Sequence, residues 1–383
     1  MLKKIYIVVF ALGIMLSVFV LPVSAKSDDE DEPIIPGEYY EIIDELPKDI
    51  ADALPEEMYS EDIEELSSGL SRMVSAEYLF SFIGELLGIE LESAVSVLGK
   101  MCGLLLLSAL LKNVCSSLSS GALSSAFEFS STCCIFTAIV GLVYAQIDMV
   151  SSFFERLNSL MIGFIPVTCT VWAMGGNVGT ASTAGGALYA FLAVSEGLCA
   201  KTVVPVSCLL IAFALCRGIS PSLNLSGFSS AIKKIYTFLL GFIMTILLAL
   251  LSSQTLLGSS ADSVAAKGAK MITSSVIPIV GGAVSDTLRT LSSSVQYIKS
   301  VVGVSGIVFI IILLAPTLIS LFVTRVAFLI AGGVADLLGC EGESKLICEL
   351  SGVSGCMIAA VSMCSVMFVF AFNIFINSTV AVG

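Results

Sequence analysis

Long uncharged apolar runs recur along the chain from residue 93 onward, and their length predicts the fold. A helix needs roughly 20 apolar residues to cross the hydrocarbon of a bilayer. The clearest runs cover residues 129–147, 235–257, 301–324 and 353–377, and weaker ones cover 99–118 and 202–216. The pattern predicts an all-α polytopic membrane protein with about six to eight membrane segments, some of them re-entrant or broken, in a membrane domain over residues 93–383.

One uncharged stretch, residues 157–195, is interrupted by a proline and by two glycine pairs. Pro166, Gly175-Gly176 and Gly185-Gly186 make it too broken for one helix, and it is short for two. Irregular backbone at membrane depth is tolerated where it is buried in protein or lines a cavity. The stretch is therefore expected to be a re-entrant hairpin or a pair of short spans.

The segment 149–161 shows a different, amphipathic pattern. Its apolar side chains share one helical face, whereas Asp148, Glu155 and Arg156 share the other. A helix of this kind often lies in the plane of the membrane surface with its apolar face in the lipid. It is expected to lie flat between two spans.

The N-terminus has the pattern of an export signal. Lys3 and Lys4 precede an uncharged apolar run over residues 5–21, and Val23-Ser24-Ala25 supplies the small residues that a signal peptidase needs. Residues 1–25 are predicted to be a signal peptide, with an uncleaved anchor helix as the alternative. In both cases the segment that follows is exported to the outer side of a bacterial cytoplasmic membrane.

Charge divides the chain into two parts. The segment 26–92 contains 21 of the 31 acidic residues and only three basic ones, which gives it a net charge of −18. Such a segment cannot enter a bilayer, and its short apolar repeats predict a small acidic helical head on the extracytoplasmic side.

The exported head sets the direction of every later span. Counting spans from it places six basic residues inside, as the positive-inside rule prefers: Lys112, Arg217, Lys233, Lys234, Arg325 and Lys345. The candidate contacts for a cytoplasmic partner are Lys233, Lys234, Arg325 and Lys345. The same count places Lys267, Lys270, Arg289 and Lys299 outside, against the rule.

Residues for metal or redox chemistry are few. The chain has no histidine, and its twelve cysteines include no Cys-x-x-Cys pair, so zinc and haem sites have little support and no cofactor is predicted. Cys340, Cys348, Cys356 and Cys364 recur at a constant spacing. They are interpreted as small packing residues on one helix pair, with a redox or metal role as the alternative.

Proline positions suggest that the membrane domain contains an internal repeat. Pro166 and Pro205 have nearly the same separation as Pro278 and Pro316, and glycine pairs follow the first proline of each set. A duplication would give halves over about 126–217 and 235–338, entering the membrane from the same side. The alternative is that prolines and glycines are simply common in membrane helices. The candidate broken-helix, gating or partner-contact residues are Pro166, Pro205, Pro278, Gly281, Gly282, Asp286 and Pro316.

The sequence around Pro278 carries a family resemblance. The sequence reads ADSVA at 261–265, AK at 269–270, VIPIVGG at 276–282 and SDT at 285–287. These motifs, together with the acidic exported head and the lysine-led first span at Gly99-Lys100, resemble the stage III sporulation protein AE family of endospore-forming bacteria.

The resemblance implies a non-enzymatic membrane subunit of a channel-like or secretion-like complex between the mother cell and the forespore, required after engulfment. It implies a location in the mother-cell membrane surrounding the forespore. The implied partners are other proteins of the stage III sporulation A operon, among them a cytoplasmic secretion-type ATPase and ring-forming subunits, and indirectly a forespore membrane protein. Nucleic acid is not among them.

Two other classes of function have less support in the sequence. A secondary transporter with its substrate site at the paired broken helices is the alternative, but the four clearest runs contain no ionisable residue, and coupled transport usually needs one. An intramembrane enzyme is less supported, because no His-Glu-x-x-His motif and no nucleotide-binding glycine loop occurs. The uncharged spans favour a scaffold or gate.

Overall fold

A computed structural model describes residues 35–44, 54–60, 62–116, 121–219, 225–276 and 281–378. The predicted signal peptide lies outside these residues. Every regular element in the described ranges is helical. The α-helices are α1 (Gly37–Asp44), α2 (Ile63–Val74), α3 (Ala76–Ser116), α4 (Gly121–Met174), α5 (Val178–Ser195), α6 (Lys201–Ile219), α7 (Ser226–Val276), α8 (Gly281–Leu337) and α9 (Glu341–Asn377). A 3-10 turn (Glu56–Tyr59) precedes α2, and a π-helical turn (Glu196–Ala200) joins α5 to α6.

Six helical stretches in the described part of the chain are long and apolar enough to cross a membrane. They are Glu77–Val114, Phe129–Met174, Val178–Ile219, Ser226–Gly258, Leu291–Leu337 and Glu341–Asn377. Each contains or overlaps one of the predicted apolar runs, because a long uncharged run satisfies its backbone most readily as a continuous helix. The all-α polytopic fold is thereby confirmed, with a number of spans inside the predicted range.

Consecutive spans run antiparallel between two ends of the bundle. At one end, which we call the head end, the indole Nε1 of Trp172 donates to the hydroxyl of Ser378 at 2.8 Å. At the other, the loop end, the ammonium of Lys112 donates to the carbonyl of Gly339 at 3.0 Å. Gly339 has φ = 71° and forms the turn between α8 and α9, a backbone conformation that favours glycine.

The helix pair α8–α9 forms the centre of the bundle. In their most apolar windows 72% of α8 and 61% of α9 is buried, against 17–28% for the other four spans. Gly303 and Gly306 of α8 lie directly against Ile376 and Phe372 of α9, where a Cβ would collide with those side chains. Small residues let two membrane helices approach closely, so these glycines allow tight packing at the core.

The described part of the acidic head packs against the membrane domain. Tyr39 of α1 is fully buried, and Ile42 lies against Gly163 of α4. Burial raises the pKa of the Tyr39 phenol. Because α3 begins at Ala76, the last part of the 26–92 segment is continuous with the first span. The buried apolar residues of the described head thus anchor it to the membrane domain.

The predicted repeat remains a prediction. Helix α4 followed by α5–α6, and α7 followed by α8, each run to the head end and back, as a parallel duplication requires. Pro166 lies inside α4, whereas its predicted counterpart at position 278 lies outside the described residues.

Candidate functional site

A charge network joins three helices near the loop end. Glu349 of α9 accepts hydrogen bonds from the ammonium of Lys233 at 2.7 Å, from the hydroxyl of Ser229 at 2.9 Å and from the guanidinium of Arg217. The Glu349 side chain is 12% exposed. Removing one partner from a buried ion pair leaves an uncompensated charge, so this network stabilises the contact of α6 and α7 with α9.

A second polar cluster joins α3, α4 and α9. The carboxylate of Glu343 is buried and accepts hydrogen bonds from the hydroxyls of Ser108 at 2.9 Å and Ser131 at 2.8 Å. Buried polar groups need such partners, since each unpaired one costs about 1–3 kcal/mol. Together with the Glu349 network, this cluster ties all the outer helices except α5 to the loop end of α9.

The four predicted cytoplasmic contact residues differ in accessibility. Lys233 belongs to the Glu349 network, and the guanidinium of Arg325 lies against Gly355. Lys234 is exposed, and Lys345 is one-third exposed while it pairs with Glu341 at 3.3 Å. Lys234 and Lys345 therefore remain available to a partner, whereas Lys233 is paired with Glu349 and Arg325 packs against α9.

The prolines do not break the helices as the sequence suggested. Pro166, Pro205 and Pro316 all lie inside continuous helices, and all three are exposed on the helix surface. Neighbouring helices and hydroxyl side chains can satisfy the carbonyl that a proline leaves free. The three prolines therefore do not interrupt the described helices, and their role in gating or partner contact stays a prediction.

The second proline element can be placed only in part. Pro278 lies outside the described residues, and Gly281, Gly282 and Asp286 fall in the first two turns of α8. A role of this element in gating or partner contact stays a prediction.

The break between α4 and α5 falls at Gly175–Asn177 instead. Gly176 has φ = 74°, which favours glycine, and the Asn177 amide donates to the carbonyl of Trp172 at 3.0 Å. The segment 157–195 is therefore a hairpin of two helices, but its arms belong to two full spans rather than to a re-entrant element.

An acidic side chain from α7 caps the N-terminus of α5. Asp262 accepts hydrogen bonds from the amides of Gly179 at 2.9 Å and Thr180 at 2.7 Å, and from the Thr180 hydroxyl at 2.7 Å. A carboxylate at a helix N-terminus binds free amides and complements the helix dipole. Asp262, which is part of the ADSVA motif, thereby fixes α7 to the α4–α5 turn.

At the head end, a buried lysine performs a similar role for the end of α9. Lys299 is fully buried, donates to the hydroxyl of Ser378 at 2.8 Å and to its carbonyl, and lies 5.8 Å from the ring centre of Phe375. A cation near the last carbonyls of a helix complements its dipole. This accounts for one of the basic residues that the positive-inside count placed on the unexpected side.

Charged residues also occur halfway along two spans, which the sequence did not suggest. Asp148, Glu155 and Arg156 lie within the continuous helix α4, and Lys201 directly follows the π turn. The expectation that residues 149–161 form a separate helix flat on the membrane is wrong. All four side chains are exposed on the surface of the bundle, and we call them the charged face.

The cysteine spacing corresponds to packing positions. Cys348, Cys356 and Cys364 lie on α9 and Cys340 immediately precedes it, and three of the four are buried. Cys364 contacts Cys199 of the π turn. Among the described residues, no group of three or more histidine, cysteine, aspartate or glutamate side chains is arranged to hold a metal.

Comparison with known proteins identifies the family. The family model for stage III sporulation protein AE matches residues 59–379. Stage III sporulation protein AE of Bacillus subtilis (strain 168) is 22% identical over 238 residues, which cover 61% of this chain and 59% of that protein. The aligned region thus spans less than two thirds of the relative's length. No solved structure matches the chain. With most of its length inside the family model, the chain belongs to the stage III sporulation protein AE family.

Proposed function

We propose that the protein is a non-catalytic membrane subunit of a channel-like complex that connects the mother cell with the engulfed forespore. Membership of the stage III sporulation protein AE family over residues 59–379 is the observation that carries this proposal. In this view the protein lies in the mother-cell membrane surrounding the forespore, with its signal peptide directing the head to the extracytoplasmic side.

The positions of the buried charged groups in the bundle support a rigid scaffold rather than an enzyme. The most buried carboxylates and ammonium groups are engaged in contacts between helices, as at Glu349, Glu343 and Lys299. Such contacts fix the register of neighbouring helices, which is what a platform for other subunits requires.

The loop end is the surface we assign to cytoplasmic partners, among them a secretion-type ATPase and, through the assembly, ring-forming subunits. This assignment places Lys234 and Lys345 on the cytoplasmic side, as the positive-inside rule prefers. Lys234 is a better contact candidate than its neighbour Lys233, because Lys233 already binds Glu349 within the chain.

Affinity purification of the tagged protein from sporulating membranes in mild detergent tests the proposal. We expect the ATPase and other products of the same operon to co-purify with the wild-type chain. Lys234→Glu should weaken ATPase recovery at unchanged membrane levels, and Lys345→Glu provides a second exposed position. Lys233→Glu is the contrasting variant, and it should lower the amount of folded protein. Normal recovery of the ATPase with Lys234→Glu and Lys345→Glu combined would reject the loop-end assignment.

A secondary transporter is the second candidate, and the charged face is the observation that favours it. Glu155, Arg156 and Lys201 lie within two of the candidate membrane spans, and intramembrane ionisable residues often serve ion pathways. Flux measurements on liposomes containing only this protein separate the two. Substrate-coupled transport without partners would replace the scaffold proposal.

A further inference from the structure

The charged face lies at the depth of the membrane centre. Three helices carry uncharged stretches at a common level: residues 235–261 of α7, 300–324 of α8 and 350–377 of α9. At 1.5 Å per residue the stretch on α9 is about 42 Å long, close to the thickness of a bilayer with its headgroups. We call this common level the uncharged belt. The Glu349 network marks its boundary at the loop end, and the contact of Lys299 with Ser378 marks its boundary at the head end.

Contacts with α9 place the charged residues within this belt. Phe154 and Asn158, which flank Glu155 and Arg156, line a small cavity together with Cys364 and Phe368. Cys364 also contacts Cys199, two residues before Lys201. Position 364 lies midway through the uncharged stretch of α9. Glu155, Arg156 and Lys201 are therefore near the middle of the bilayer, and Asp148, two helical turns earlier, lies closer to the loop end.

Lipid is not a suitable environment for this face. A charged side chain at the bilayer centre costs about 2.5–3.5 kcal/mol on insertion scales, and such residues almost always face protein or water. The four side chains are nevertheless exposed on the surface of the single chain. The outer face of α7 at the same depth differs, because Phe242, Ile246 and Leu250 are exposed there and suit lipid.

The signs of the charges indicate what covers the face. Two acids and two bases lie on neighbouring helices, since α4 packs against both the π turn and α6. Rotation about an axis along the membrane normal keeps each residue at its depth. A second copy related by such a two-fold axis therefore brings Glu155 of one chain to the depth of Arg156 and Lys201 of the other.

We propose that the charged face of α4 and α6 is the interface with a second copy of this chain. Arg156 and Lys201 each also have an interaction within their own chain. This inference rests on the depth and sign of the charges and goes beyond the proposed function. It concerns the assembly of this subunit whatever complex it serves.

Photo-cross-linking in native membranes tests the interface. A photoreactive amino acid is introduced at Ser159, which is exposed on the charged face, or at Ile246, the matched position on the lipid-facing side of α7. Two differently tagged full-length copies are co-expressed. We expect irradiation at Ser159 to yield a species of twice the chain mass that carries both tags, and irradiation at Ile246 to yield none. A Ser159 adduct with a different protein, equal yields at both positions, or no protein adduct would each overturn the proposal.

Charge exchange between copies provides the decisive control. Arg156→Glu makes one copy acidic at both positions, and Glu155→Arg makes the other basic at both. Each variant alone should give about tenfold less cross-linked dimer than wild type, because like charges meet at the two-fold axis. Co-expression of the two should restore the mixed-tag dimer selectively, which also shows that both variants are folded. Failure of this restoration, with both copies present in the membrane at normal levels, would refute the two-fold interface.

Discussion

Replacing Asp262 by alanine should loosen the head end of the bundle. The substitution removes three hydrogen bonds, two to the amides of Gly179 and Thr180 and one to the Thr180 hydroxyl. The two amides belong to the first turn of α5 and have no carbonyl partner within that helix. Asp262 is itself buried, so water cannot easily replace it.

The size of the effect follows from the type of bond. A hydrogen bond to a charged group contributes about 1.5–3 kcal/mol, and a carboxylate near a helix N-terminus adds about 0.3–1 kcal/mol through the dipole. The three bonds share one carboxylate and are not additive, so we expect a loss of about 3 kcal/mol in the free energy of unfolding. At about 2 °C per kcal/mol for a chain of this size, Tm should fall by about 6 °C. Asp262→Asn keeps one acceptor and should lose less.

Thermal unfolding in mild detergent can be followed with a thiol-reactive fluorescent dye, because the buried cysteines become accessible on unfolding. Asp336→Ala, at an exposed position of α8, is the control and should change stability by no more than about 0.5 kcal/mol. Gly179→Ala provides an independent disturbance, since its Cβ would lie 2.6 Å from the Asp262 carboxylate. If Asp262→Ala and Gly179→Ala disturb the same cap, the Tm of the double variant should be only slightly lower than that of Asp262→Ala. Equal Tm shifts for Asp262→Ala and Asp336→Ala, or fully additive effects with Gly179→Ala, would refute the capping role.

Three further variants probe the rest of the bundle in the same unfolding assay. Glu349→Ala should cost about 3–5 kcal/mol because Arg217 and Lys233 lose their counter-charge, and a loss below about 1 kcal/mol would mean that the network is loosely solvated. Lys299→Met should be less harmful than Lys299→Ala, since methionine keeps the packing and loses only the bonds to Ser378; equal losses would assign the role of Lys299 to its charge alone. Pro166→Ala should leave Tm unchanged or higher, because α4 is already helical at this position, and a lower Tm would show that the proline is required.

The spans were predictable from the sequence because bilayer thickness imposes one length on every crossing helix. Run length alone identified residues 301–324 and 353–377 within α8 and α9. It could not show that these two form the centre and the others the periphery, because all six are apolar. That distinction depends on close contacts such as Gly303 against Ile376, between residues far apart in sequence.

The candidate site was predictable only in part, for two physical reasons. Proline is a strong signal for a helix break in water, but within a bilayer the cost of unpaired backbone keeps α4 helical through Pro166. Residues 149–161 have the periodicity of a surface helix, and periodicity does not distinguish a surface helix from a transmembrane one with a polar face. The contact of Asp262 with Gly179 and Thr180 joins residues more than 80 positions apart and has no local signature.

The close packing of α8 against α9 has a consequence for permeation. Where a conduit along the middle of the bundle would pass, Gly303 and Gly306 place the two backbones so near that Phe372 and Ile376 fill the space between them. A solute moving between these two helices would first have to separate the most buried pair among the described spans. Opening a route between α8 and α9 would therefore require the core of the bundle to come apart. A solute that passes through or beside this subunit would instead pass along the outer sides of the α8–α9 pair.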